Sequence, residues 1–142
     1  MKMSYWFFAI LLVVGIAVGV PGIRTASAQD DPLKMGTILQ RTDVPGAKDM
    51  EAILVLRTVP PGGESGWHTQ SGSEIVYIVE GSCVFEVKGK PAVTLKAGEA
   101  FQTSAGEVHI VKNAGKSEPA KAIAFYIARK GAKLEDLSVP AN

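Results

Sequence analysis

Short apolar runs, each cut off by glycine or proline, limit what this chain can fold into. Ile53 to Val59 ends at Pro60-Pro61-Gly62-Gly63. Glu74 to Val79 ends at Gly81, and Cys83 to Val87 ends at Lys88-Gly89-Lys90-Pro91. Ala92 to Leu95, Ala100 to Thr103 and Val108 to Val111 are bounded in the same way, by Lys96-Ala97-Gly98-Glu99, by the turn Ser104 to Glu107 and by the loop Asn113 to Pro119. Ala122 to Ala128 is a longer apolar run, and Thr37 to Arg41 a weaker first one. The runs are rich in β-branched and aromatic residues, too short for stable helices, and spaced as in sandwiches and barrels. The reading is all-β, with one turn of helix at most, around Leu134-Glu135-Asp136-Leu137.

The first residues do not fit that pattern. Lys2 precedes the apolar run Trp6 to Val20, Pro21-Gly22 break it, and Ala26-Ser27-Ala28 offers small residues for cleavage. This is the layout of a secretory signal peptide, residues 1–28, cut after Ala28. The competing reading is an uncut membrane anchor; the run is short against the roughly 20 apolar residues of a span. The mature chain, residues 29–142, is long enough for one domain, its core about 37–128. The expected location is the periplasm or the medium, without stable membrane association after cleavage.

Cleavage removes Lys2 and Arg24 and no acid, leaving 13 basic and 14 acidic side chains from the 15 and 14 of the whole chain. No basic stripe marks a nucleic-acid partner. Cys83 is the only cysteine, so no disulfide can form within the chain. It reads as a small buried hydrophobe, with a pocket-lining thiol as the sharper alternative.

Polar residues recur at strict spacing within this apolar framework. The first set is Gly62, His68, Gln70, Glu74 and Gly81; the second is Gly98, Ser104-Ala105-Gly106, His109 and Asn113. His68 and Gln70 are two apart and share a face of an extended chain. Val76 and Ile78 share the face of Glu74, while Ile75, Tyr77 and Val79 take the other. Val108 and Ile110 point away from His109. If these strands line one barrel, four polar groups meet inside an apolar wall, and burying them unpaired costs several kcal/mol. A divalent cation removes that cost by taking their lone pairs. Both histidines of the chain fall in these sets.

The two sets together resemble the paired motifs of the cupin superfamily, in the form of a small single-domain bacterial cupin. The resemblance implies a double-stranded β-helix, or jelly-roll barrel, and a homodimer formed through outer strands. It also implies one divalent metal ion per chain on His68, Gln70, Glu74 and His109. Two positions depart from the pattern: Gln70 stands where a second histidine is usual, and Ser104 where proline is usual. An amide oxygen is a weaker ligand than imidazole, so Gln70 completes the shell loosely or turns to substrate. His68, Glu74 and His109 then form a two-His-one-carboxylate face that suits iron(II), with Mn(II), Ni(II) or Zn(II) as alternatives.

The implied activity is metal-dependent chemistry on a small oxygenated organic molecule, dioxygenase-like first, with lyase or isomerase chemistry as the Lewis-acid variant. No separate catalytic base presents itself; Glu74 could detach and accept a proton. The alternative is a small-molecule binding module without turnover. Trp67 adjoins His68 at the pocket mouth, Tyr77 reads as packing, and Phe85, Phe101 and Phe125 read as core or pocket wall. Glu64, Glu99 and Glu107 read as solvated turn residues.

Overall fold

The computed structural model describes residues 36–139; the signal-peptide reading lies outside them. Ten strands occur in order: β1 Gly36–Val44, β2 Ala47–Val59, β3 Thr69–Gln70, β4 Ser73–Glu80, β5 Ser82–Val87, β6 Val93–Lys96, β7 Ala100–Thr103, β8 His109–Asn113, β9 Ala120–Arg129 and β10 Glu135–Asp136. They form a five-stranded sheet, β1-β2-β9-β4-β7, a three-stranded sheet, β6-β5-β8, and a two-stranded piece, β10-β3. All named pairings are antiparallel. The architecture is all-β, as the punctuation of the sequence predicts, and is the double-stranded β-helix that the resemblance implies.

Alternation decides which side chains enter. Along β2, Ile53, Val55 and Val59 are buried on the inner face. Along β9 the inward residues are Ala120, Ala122, Ala124, Tyr126 and Ala128. The alanines leave depth that Phe85 and Cys83 fill from the facing sheet and Ile78 from the neighbouring strand β4, and together these residues make one core. Phe85 meets Phe101 with ring centroids 5.2 Å apart, in the tilted geometry that aromatic pairs favour.

Two expectations are corrected. The tail does not turn into helix: Glu135 and Asp136 pair with Gln70 and Thr69 as strand β10. Leu134 fixes that choice by burying itself in the core, and no helical turn could keep both Leu134 inside and the ladder bonds. Phe125 is not core or pocket wall, and it shares the outer face with Tyr77. They lie 40% and 48% exposed on the outer face of the large sheet, because their neighbours Tyr126 and Val76 take the inward positions.

At Gly81 the backbone takes φ 74° between β4 and β5, and a β-carbon there would lie 3.2 Å from the Ala120 Cα. Only glycine meets both demands, so the spacing from Glu74 to the next strand is held at this residue.

Candidate metal and ligand site

The two motifs meet through one backbone bridge. His68 and His109 form an antiparallel pair and exchange both N–H···O bonds at 2.9 Å. Residues opposite each other in such a pair send their side chains to the same face. The imidazole centroids are accordingly 4.2 Å apart, inside the barrel.

Each ring is oriented from behind. His68 Nδ1 lies 2.9 Å from the Gly66 carbonyl, and His109 Nδ1 lies 2.9 Å from the Glu107 carbonyl. A carbonyl only accepts, so each Nδ1 carries a proton, and in the neutral ring it is Nε2 that holds the lone pair. Burial, with the neighbouring His68, holds His109 below the ordinary histidine range, which keeps that lone pair free at neutral pH. His109 Nε2 is fully buried and is the one buried side-chain polar atom without a hydrogen-bond partner among the described residues. Native interiors seldom leave such an atom unsatisfied.

Glu74 faces His109, its Oε2 lying 4.0 Å from Nε2. Gln70 donates from Nε2 to Glu74 Oε2 at 2.6 Å. The Thr103 hydroxyl stands 3.0 Å from Gln70 Oε1 and 3.2 Å from Glu74 Oε2, and donates to one at a time. Gln70 therefore holds the carboxylate here with an N–H donor. The structure brings all four motif side chains together, each no more than 4% exposed.

As the side chains stand, no three His, Cys, Asp or Glu groups among the described residues close on one point. The donor set nonetheless fits a divalent ion. Two imidazoles lie 4.2 Å apart, the Nε2 of His109 has no partner, and a carboxylate stands beside it. Imidazole nitrogen with carboxylate oxygen suits the later first-row metals. Backbone carbonyls on both Nδ1 atoms are the outer support that metal-binding histidines ordinarily have.

Three groups at the site were not singled out from sequence. Arg57 donates from Nη2 to the Tyr126 hydroxyl and to Glu135 Oε1. Glu135 Oε1 also lies 3.9 Å from His68 Nε2. Burial opposes the Arg57 charge, but Tyr126, Glu135 and Glu74 outweigh it and hold the guanidinium above its usual range. Burial, with Glu74, likewise holds the Tyr126 phenol protonated, and it hydrogen-bonds to Glu74. One polar chain thus runs Glu135–Arg57–Tyr126–Glu74–Gln70. Strand alternation could have found Arg57, a charge on the face of Ile53, Val55 and Val59; nothing local marks Glu135.

Arg57, Glu74 and Glu135 line a cavity whose empty space, open solvent included, is about 440 Å³. Arg57, Ser65, His68, Glu74 and Glu135 supply its polar atoms, and Val59, Val76, Cys83, Phe85, Val111 and Ala122 its apolar wall. Cys83 satisfies both readings of the sequence: it is core, and it lines the cavity. Burial pushes its thiol up to about 11, so it carries no thiolate at neutral pH.

The second motif turns without proline. The Ser104 N–H donates to the Glu107 carboxylate at 2.8 Å, a bond that proline could not make. Asn113 closes the motif: its Nδ2 lies within 3.2 Å of the carbonyls of Val59, Pro60 and Glu118, and its Oδ1 accepts from Gly115 N at 2.7 Å.

Residues 55–126 match the cupin domain family model, more than half of the chain. The chain belongs to the cupin family. Over 61 residues it is 41% identical to the oxalate-binding protein of Thermotoga maritima; the match covers 42% of the chain and 50% of that protein. The chain thus spans about half the length of this cupin's curated relative. Among solved structures, the fold is similar to a Klebsiella pneumoniae protein with a double-stranded β-helix domain, with TM-score 0.58, 20% identity, and coverage of 75% of this chain and 84% of the other. It is similar to a Bordetella pertussis cupin domain, with TM-score 0.52, 22% identity, and coverage of 66% and 91%. The DMSP lyase DddQ of Ruegeria pomeroyi shares the fold at TM-score 0.55 and 19% identity, over 79% of this chain and 56% of that one. These structural likenesses establish the cupin barrel and no more.

Proposed function

We propose that this cupin binds one divalent metal ion through His68, Glu74 and His109, and takes a small oxygenated organic molecule into the adjoining cavity. The observation that carries the reading is the pair of imidazoles fixed from behind by carbonyls. His68 lines the cavity, and beside it the buried His109 Nε2 has no hydrogen-bond partner. The likeness to an oxalate-binding protein over 61 residues supports a small polar ligand. Gln70 serves in this reading as the clamp that orients Glu74, and not as a direct ligand.

A divalent ion would supply Lewis acidity, or dioxygen activation if it were iron(II). The chain's own residues bind and orient. The apolar wall strips water from the ligand, Arg57 offers a fixed positive charge, and the Tyr126 phenol and Gln70 amide hold Glu74 in place. Oxidative or Lewis-acid turnover on this scaffold is the enzymatic form of the proposal. A binding role without turnover is the second reading, favoured by one feature: Glu74 Oε2, the base that the sequence offers, is already engaged by Gln70.

Metal titration of residues 29–142 by calorimetry tests the core of the proposal. The wild type is expected to bind one equivalent of Fe(II), Mn(II), Ni(II) or Zn(II). His109→Ala should bind at least ~100-fold more weakly, since losing even an outer-shell partner costs 10–100-fold. Equal affinity in both proteins would remove the site.

The reading also places the protein beyond the inner membrane after cleavage at Ala28, as a homodimer. Ile75, Tyr77, Val79 and Phe125 are exposed on one face of β4 and β9, an apolar patch that a second copy packed on that face would cover. Intact mass and light scattering on material recovered from the export compartment check both points. A start at Gln29 and twice the chain mass are expected; retained residues 1–28, or a monomer at micromolar concentration, would refute the corresponding half.

A further inference from the structure

The Arg57–Glu135 pair is an unusual thing to find in a ligand cavity. Its side chains are 14% and 8% exposed, and both line the cavity. Such a pair seldom adds stability over apolar residues of similar size, so its cost calls for another role. Arg57 reaches in from β2, in the middle of the large sheet. Glu135 comes from the C-terminal segment, on a strand of two residues paired only with Thr69 and Gln70.

The pairing also leaves Arg57 partly unused. Both of its bonds leave from Nη2, one to Tyr126 and one to a single oxygen of Glu135. A guanidinium carries five N–H donors in a planar fork and binds a carboxylate best through two parallel bonds. The same Glu135 oxygen sits 3.9 Å from His68 Nε2, between Arg57 and the imidazoles. A resident carboxylate therefore stands where an incoming one would bridge Arg57 and the metal-binding face.

The geometry points to a carboxylate ligand: Arg57 recognises it, and Glu135 is a resident counter-ion that leaves Arg57 when the ligand arrives. This rests on the reading of the cavity as a ligand site and names the ligand's chemical class. Charge supports it. Arg57 and the two carboxyl groups, Glu74 and Glu135, already oppose each other, so a ligand carboxylate entering beside Glu135 meets like charge in a poorly solvated space. Departure of Glu135 removes that repulsion and frees the fork. Leu134, buried at the start of the short strand, keeps the segment attached while Glu135 moves. A neutral molecule of the same shape has nothing to exchange for Glu135 and is rejected. The pair thus selects for charge and keeps Arg57 satisfied when the cavity holds no ligand.

The test is calorimetric titration of the mature protein with malonate and, as its neutral counterpart, malonamide, with metal content measured before and after. Malonate should bind and malonamide should not. Arg57→Gln should weaken malonate by ~10–100-fold, the scale of a lost charge-assisted hydrogen bond. Arg57→Lys should fall between, because a point charge cannot make the fork. Glu135→Gln should bind malonate more tightly, since the resident pair lowers the competent fraction. Amide exchange at Glu135 and Asp136 should speed up with malonate bound. Weaker binding by Glu135→Gln, slower exchange, equal binding of malonamide, or an unchanged Arg57→Gln would overturn the inference. If Arg57→Gln does not fold, Arg57→Lys and Glu135→Gln decide it. Metal binding that depends on His109 while malonate ignores Arg57 defeats this inference alone; malonate binding that depends on Arg57 in a protein unable to hold metal defeats the metal reading alone.

Discussion

Arg57→Met is expected to destabilise the barrel by about 3–5 kcal/mol, the usual cost of removing one partner of a buried ion pair. The reason lies in what stays behind. Glu135 loses its cation in a cavity where its side chain is 8% exposed, and the Tyr126 hydroxyl loses a donor. The loss is a large share of a total stability of roughly 5–15 kcal/mol. The double variant Arg57→Met/Glu135→Leu should recover most of it, because two apolar residues of similar volume fill the space without stranding a charge. Urea unfolding of the metal-free protein at pH 7 measures both, and with Glu135→Leu added the four proteins form a double-mutant cycle. Strictly additive losses would show that the pair is not coupled and that Arg57 acts by packing alone.

Phe85→Ala is expected to cost about 3–5 kcal/mol and to enlarge the ligand cavity. Phe85 is 1% exposed, packs on Phe101 and belongs to core and cavity wall alike. Its strand is bonded on both sides, to β6 and to β8. Such a wall cannot move inward to fill the void, so the cost should lie at the upper end for aromatic truncation. Thermal unfolding gives the loss, and binding of an apolar probe such as xenon reports the new space. A loss under about 1 kcal/mol would mean that the wall collapses and that the barrel is softer than its ladders imply.

The strands were legible because the alternation of apolar residues and the Gly and Pro breaks are local signals. Gly81 shows the link: a positive φ and a close approach to Ala120 are both written as one glycine at a fixed distance from Glu74. Convergence of His68, Gln70, Glu74 and His109 was implied by the resemblance of the two motifs; even spacing puts His68 and Gln70 on one face but does not bring His109 to them. Facing, however, does not say which face is the core. Phe125 and Tyr77 carry the same hydrophobic signal as Phe85 but lie on the outer side of the sheet.

By itself, then, the sequence determined most of the longer strands and the turns between them, set by periods of two and by glycines within a few residues. Tertiary structure alone decided what Gln70 touches and where the tail goes. Gln70 meets Thr103 across 33 residues, and Arg57 meets Glu135 across 78. Hydrogen bonds between groups so far apart depend on the register of several strands at once, and no local pattern encodes that register.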